Sequence, residues 1–350
     1  MIGKGAKNLP KEAIPPCSRG RLTAVIAAAL IIVAVFNIVA WWYLERYTPN
    51  TGYLLIRAKW ALLASLKKPI DLLILGDSSG NQGVDPETLR DNLGITSVNL
   101  CTIGDALVLN DAWMLEEYIG RFGPPRAVLV VHGYDMWSRD INVSVLSKIP
   151  GSWWRRRPDL GFGVKNRIRV ILNRYVPLYA ETASLGWVIR HPGSAFPSRL
   201  PMRPDGFMVE TTAEPDRVKQ DVEVHLQFIR QQERVLSDVN RAALRLIVQL
   251  AEANDFDLCL VPGPIYDSLA SDSAFLVYFA AVRDTLAAVT ASSPHTRFLL
   301  TAPVTFPAER MQSADHIVGS AAAEFTSRLA ERMRSMCIDD NLDSSSTGCR

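Results

Sequence analysis

Gly76-Asp77-Ser78 closes the apolar run Leu72 to Leu75 and leads into a segment that reads as the start of a helix. A serine so placed is a candidate nucleophile. Its hydroxyl reacts only when a base removes the proton and amide donors receive the oxyanion. At the carboxyl end of a parallel strand, the turn into a helix exposes the side chain in the crevice where α/β proteins bind ligands. It also leaves helix N-terminal amides free nearby. Gly76 and Gly80 relieve crowding there, and Gly76-Asp77-Ser78-Ser79-Gly80 has the form G-x-S-x-G. The competing reading makes Ser78 part of a helix cap.

The best-placed base is His316, which follows the last apolar run and precedes the helix start Gly319-Ser320-Ala321. A triad needs a group that orients the imidazole through Nδ1 and stabilises its charged form. Ser313 stands three residues before His316, and the only nearby acid, Asp315, is its immediate neighbour. Adjacent side chains usually diverge, so a Ser78–His316 dyad is expected, with Asp315 as the weaker third member. His132, His191, His225 and His295 have no comparable setting and read as surface or packing residues.

These residues need a frame. Apolar runs recur at Leu72 to Leu75, Ser97 to Leu100, Ala127 to Gly133, Asp257 to Gly263 and Phe298 to Pro303. Segments of helical periodicity separate most of them, including Leu107 to Arg121 and the long stretch Asp221 to Asn254. Short continuous apolar runs alternating with helices argue for a parallel sheet covered on both faces. The expected fold is therefore α/β, a doubly wound parallel sheet.

With these blocks in place, the chain resembles the SGNH (GDSL-type) hydrolase superfamily from about Asp71 to Met333, with Gly76-Asp77-Ser78 as the nucleophile block. The resemblance implies a flavodoxin-like three-layer sandwich. It makes Asn99 and Gly104, in Val98-Asn99-Leu100-Cys101-Thr102-Ile103-Gly104, the second block, with the Gly104 amide in the oxyanion hole. Gly133-Tyr134-Asp135 falls where the family carries G-x-N-D, so Tyr134 and Asp135 become candidate oxyanion or binding residues, with Tyr134 in the place of Asn. The last block, usually D-x-x-H, corresponds to Ser313 through His316.

Composition bounds what surrounds this domain. With 48% hydrophobic residues and a net charge of +2 over 350 residues, the chain reads as globular with an added apolar segment, and its charge suggests no nucleic-acid partner. Leu22 to Leu44 carries no charge and is long enough to cross about 30 Å of hydrocarbon. It ends in Trp41, Trp42 and Tyr43, which suit a membrane interface, and it exceeds the ~7–15 apolar residues of a signal peptide. Lys4, Lys7, Lys11, Arg19 and Arg21 precede it against the single acid Glu12, which predicts a cytoplasmic tail over residues 1–21 and an extracytoplasmic remainder. Residues 45–69 read as a connecting helix, 70–336 as the α/β domain and 337–350 as a polar tail.

Within the domain, residues 148–199 interrupt the alternation with ten Lys/Arg against Asp159 and Glu181. This insertion is either a solvated subdomain or a surface that meets an anionic membrane, acidic glycan or partner through Trp153, Trp154, Arg155, Arg156, Arg157, Arg167 and Arg169. The five cysteines fit no zinc pattern, and no cofactor is implied. Cys337 and Cys349 could close a small loop in an oxidising compartment or remain two unrelated thiols.

Two functions follow as expectations. One is an inner-membrane-anchored serine esterase or O-acetyltransferase that works on an acylated envelope or exported glycan, in the manner of SGNH-like proteins that act beside multi-spanning membrane acyltransferases. The other is a catalytically inactive accessory protein of the same fold that binds glycan or such an acyltransferase.

Overall fold

In a computed structural model, the chain is described over residues 19–151, 163–196 and 200–343. The tail before residue 19, the Trp153–Arg157 cluster and Cys349 lie outside the described residues, as does the side chain of Cys337.

Helix α1, Arg19–Tyr47, is long and apolar enough to cross a membrane, and it has no polar face along its length. Its last carbonyls are capped from the next helix. Arg57 donates from Nη1 to Leu44 O at 2.6 Å and to Glu45 O at 2.8 Å, and pairs through Nη2 with the Glu45 carboxylate at 3.1 Å. Arg57 belongs to α2, Thr51–Ser65, which Asn50 caps by accepting from Tyr53 N. Between α1 and the first strand, α2 buries Leu55, Ile56, Lys59 and Leu63 against the domain.

The domain is built on five parallel strands: β1 (Leu72–Gly76), β2 (Ser97–Asn99), β3 (Ala127–His132), β4 (Asp257–Pro262) and β5 (Thr296–Phe298), in the order β2-β1-β3-β4-β5. Their side chains alternate between two apolar clusters. Leu73, Leu75, Val128, Val130, Leu258 and Leu260 join one. Leu72, Ile74, Leu129, Val131, Cys259 and Val261 join the other. A strand apolar on both sides reads as an unbroken run, which is why the sequence shows runs and not alternation.

Helices α3 (Ser78–Gly83), α4 (Pro86–Leu93) and α5 (Leu107–Phe122) follow the first strands. The insertion forms α6 (Val164–Tyr175), α7 (Pro177–Ala180) and α8 (Thr182–Arg190), and the remainder supplies α9 (Pro215–Gln231), α10 (Asp238–Asn254), α11 (Ser273–Thr290) and α12 (Gly319–Asp343). The long periodic stretch expected from Asp221 is thus two helices. Ser237 caps the second by accepting from Asn240 N, and the first ends at Gln231. The last strand also differs from expectation, since Thr296–Phe298 pairs with β4 whereas most of Phe298 to Pro303 is loop.

Two contacts fix the carboxyl edge of the sheet. Gly76 pairs with Val131 at φ +143°, and a Cβ there would lie 1.9 Å from Val131 O. Only glycine lets β1 approach β3 so closely before the turn. Lys59 is fully buried and donates from Nζ to Asn99 O at 2.9 Å, Asn99 Oδ1 at 3.2 Å and Gly206 O, which ties α2 to the end of β2. Burial pushes its pKa down to about 7, although three oxygens on one ammonium favour the charged form.

Gly76→Ala is expected to cost more than about 3 kcal/mol or prevent folding, since strain and a backbone clash combine. Gly94→Ala, also at positive φ (+69°) but with open space at Cβ, is expected to cost only about 1 kcal/mol. Urea denaturation of the two variants beside the parent checks both values.

Candidate active site

The turn after β1 is organised by Asp77. Its Oδ1 accepts from Ser79 N at 2.9 Å and so caps α3, while Oδ2 accepts from Gly133 N at 2.7 Å across the gap to the end of β3. Ser78 is therefore the first residue of α3, not its cap. Its side chain is half-buried, and among the described residues its hydroxyl has no hydrogen-bond partner. Ser79 points inward: it is 2% exposed, and a Cβ on Gly263 would lie 2.8 Å from its Cβ. Of the two serines, only Ser78 stands open to a ligand.

Beneath this turn lies an ionic group that the sequence reading missed. His132, the last residue of β3, is fully buried with Nε2 at 2.7 Å from Asp111 Oδ2 and Nδ1 at 3.4 Å from Asp77 Oδ2. Burial works to lower the imidazole pKa, but the two carboxylates outweigh it and raise the value to about 9, so His132 is charged at neutral pH. Asp77 titrates below its ordinary range despite burial, because His132 and the amides of Gly133 and Ser79 stabilise its charge. Burial raises Asp111, against the pull of His132. Far from being a surface or packing residue, His132 bridges α5 and the β1 turn. The available signal was a polar residue ending an otherwise apolar strand, with Asp111 among the apolar positions of α5.

His316 sits on a two-residue strand, His316–Ile317, paired antiparallel with Met311–Ser313. The intervening turn, Ala314-Asp315, folds the Asp315 side chain back onto its neighbour. His316 Nδ1 lies 2.6 Å from Asp315 Oδ1 and 2.7 Å from Ser313 Oγ, which itself donates to Asp315 Oδ1 at 2.8 Å. Adjacent side chains here converge, contrary to the expectation of divergence, because a hairpin replaces an extended chain. Burial acts to lower the His316 pKa, and the carboxylates of Asp315, Asp77 and Asp135 together raise it. Asp315 is held well below the usual carboxylate range; burial opposes this, and His316 dominates. With Nδ1 engaged, Nε2 is the ring nitrogen left without a protein partner among the described residues.

The strand carrying His316 packs against α3, so Ser78 and His316 occupy the same edge of the domain. No hydrogen bond joins their side chains among the described residues. Gly104 opens a 3-10 turn, Gly104–Ala106, after β2, and a Cβ there would meet Arg139 Nη1 at 3.2 Å. Arg139 is pinned between Asp105, at 2.7 Å, and Asp135. Burial raises the Asp135 pKa, against the pull of Arg139. Tyr134 leaves this group: its ring packs on Phe275 and Tyr278 of α11, and its hydroxyl meets His225 Nδ1 of α9 at 2.5 Å. Asn99 faces inward as a latch, donating to Gly80 O and Val84 O and accepting from Cys101 N. His225, expected as surface or packing, thus lies beside the site and lowers the Asp315 pKa electrostatically.

Among the described residues no group of three or more His, Cys, Asp or Glu is arranged to hold a metal ion. No protein-family model matches the chain, and no curated protein matches it.

Because His132 has a folded pKa near 9 against an ordinary 6.5, its ionic contribution is complete below pH 6.5 and fades as pH rises through 9. Thermal unfolding from pH 6 to 10 is expected to show a fall in midpoint that His132→Gln lacks. At pH 6 that variant should be less stable by about 3–5 kcal/mol, the cost of leaving buried carboxylates unpaired.

Proposed function

We propose that the chain is a membrane-anchored serine esterase or O-acetyltransferase of SGNH type that acts on an acylated envelope or exported glycan. The observation that carries this reading is His316, held at Nδ1 by Asp315 on the strand that packs against the helix beginning at Ser78. In the proposed reaction, Ser78 Oγ attacks the acyl carbonyl as His316 Nε2 takes its proton. The C–O bond to the leaving alcohol then breaks, and His316 returns the proton to that alcohol. Water or a sugar hydroxyl next attacks the acyl-serine by the same route, completing hydrolysis or transfer. The amides of Ser78 and Gly104, neither of which donates to a backbone carbonyl among the described residues, would hold the oxyanion.

The strand order and the two apolar clusters support the doubly wound SGNH sandwich. The basic residues ahead of α1 support a cytoplasmic N-terminus, an inner-membrane location and an extracytoplasmic domain. In this setting a multi-spanning membrane acyltransferase is the natural source of acyl groups. The accessory reading keeps two observations in its favour, the lack of a hydrogen bond between Ser78 and His316 and the Tyr134 phenol turned toward His225 where the pattern has Asn, and the same experiments decide between the two.

Fluorophosphonate should label the detergent-solubilised protein and not Ser78→Ala. Hydrolysis of an activated acetyl ester should fall by about 10³-fold or more in Ser78→Ala and in His316→Ala, with the double variant little worse than either. The kcat/KM profile should rise with an apparent pKa above 6.5, because His316 must be neutral to act and its pKa is raised. Asp315→Asn should lower both that pKa and the rate. Equal turnover by the parent and Ser78→Ala, with no labelling, would establish the accessory role. An alkaline phosphatase fused after Arg350 should be active; activity only from a cytoplasmic reporter at that point would reverse the topology.

A further inference from the structure

The insertion presents an apolar face that no other element covers among the described residues. On α6, Val164, Ile168, Ile171, Leu172 and Tyr175 are exposed, and their spacing places them on one stripe. Val170 is buried in the domain core, and Lys165, Arg167, Arg169 and Arg174 fill the other positions. The exposed surface continues through Tyr179, Ile189 (80% exposed) and Phe196. In a water-exposed subdomain this arrangement would be inverted.

This segment is fastened along α1. Asn37, in the middle of the apolar helix, donates from Nδ2 to Tyr175 O at 2.7 Å and accepts at Oδ1 from Leu178 N at 3.4 Å. Those are the backbone groups left open where α6 stops and Pro177 starts α7. In hydrocarbon such groups need protein partners, and one amide side chain supplies both. Further along α1, the Tyr43 hydroxyl donates to Ala195 O, and Tyr47 stacks edge-on against Phe196 with centroids 4.9 Å apart. Asn37 lies seven residues before Leu44, the end of the uncharged run, so the α6–α7 corner sits about 10 Å along the helix from the interface. An interfacial amphipathic helix buries its apolar face to about 5–10 Å.

We infer that α6–α8 are embedded in the extracytoplasmic leaflet beside α1, with the acyl chains of the bilayer lipids as the occupant of the exposed apolar face. This rests on the reading that α1 spans the membrane. It shifts the main membrane contact of the insertion from its arginines to its apolar stripe, and makes the anchor a helix plus a wedge.

The test uses the full chain with Cys17, Cys337 and Cys349 replaced by serine, Cys101 and Cys259 being buried. Single cysteines at Ile168, Ile189, Val33 in α1 and Glu331 on the domain surface carry an environment-sensitive fluorophore. The labelled protein is reconstituted in phosphatidylcholine–phosphatidylglycerol vesicles. Probes at 168 and 189 should be quenched by lipid bearing a spin label on its acyl chain, and should resist iodide about five-fold more than the probe at 331. Asn37→Leu should return the probe at 168 toward water. If 168 and 189 are as open to iodide as 331 while 33 reports lipid, the wedge is wrong and the span stands. If 33 also reports water, the span fails and takes the wedge with it. Probes at 168 and 189 shielded from both quenchers would mean that a second copy covers the face, which also overturns the inference.

Discussion

A charged imidazole buried between two carboxylates survives in a protein interior only when the surrounding backbone supplies the remaining hydrogen bonds. Asp77 meets its share of that requirement with one oxygen on Ser79 N and the other on Gly133 N, facing His132, whereas His132 Nδ1 and Asp111 Oδ1 make no hydrogen bond among the described residues. Three segments that are far apart in sequence, the β1 turn, the end of β3 and the middle of α5, are thereby held in one arrangement. The position of Ser78 follows from this. It begins a six-residue helix that is too short to be stable alone, and its orientation comes from the Asp77 clamp below and from the Gly76 approach to Val131 beside it. The same geometry makes the nucleophile candidate sensitive to residues that never touch a substrate.

The apolar helix α1 and the candidate site are linked through α2. Its first turn, four residues beyond the end of α1, packs on the loop that leads to Gly104; a Cβ on Gly52 would lie 3.1 Å from the Ile103 side chain. Lys59 ties the next turns to Asn99, and Asn99 in turn accepts from Cys101 N and donates to the carbonyls of Gly80 and Val84. Arg57 closes the angle between α1 and α2. The carboxyl edge of the sheet is therefore the edge nearest the apolar helix, and the orientation of the domain relative to that helix is carried by hydrogen bonds and not by a flexible tether.

How much of this was legible in the sequence depended on distance. Strand positions came from short apolar runs, because a strand buried on both faces needs apolar residues at every position; Leu72 to Leu75 and Ala127 to Val131 leave little choice. The last strand was misplaced because Thr296-Arg297-Phe298 is short, polar and half-buried at the sheet edge, whereas the more apolar Phe298 to Leu300 turns into a loop. Ser78 and His316 were visible as residues in a recognisable setting. The contact between Asp315 and His316 was not, since it depends on a two-residue turn whose register shifts against Met311–Ser313. His132 and Asp111 were hidden for a related reason: each is an isolated polar residue in an apolar element, and its meaning lies in a partner across the sheet.

For the proposed SGNH reading, two departures from that pattern have different physical weight. At Ser313 the usual aspartate is missing, yet its hydroxyl and the adjacent Asp315 both reach His316 Nδ1, so the orienting function is met by two groups. At Tyr134 the asparagine of the pattern is missing, and the phenol is turned toward His225. Arg139 lies over Gly104, but Asp105 and Asp135 flank it and oppose the stabilisation it could give a developing oxyanion. Under the proposed reading the oxyanion hole would consist of two backbone amides. One donor fewer is worth about 10²–10³ in rate in acyl-transfer sites, so under the proposed reading turnover would fall below that of a complete SGNH site, limited by the oxyanion and not by the base.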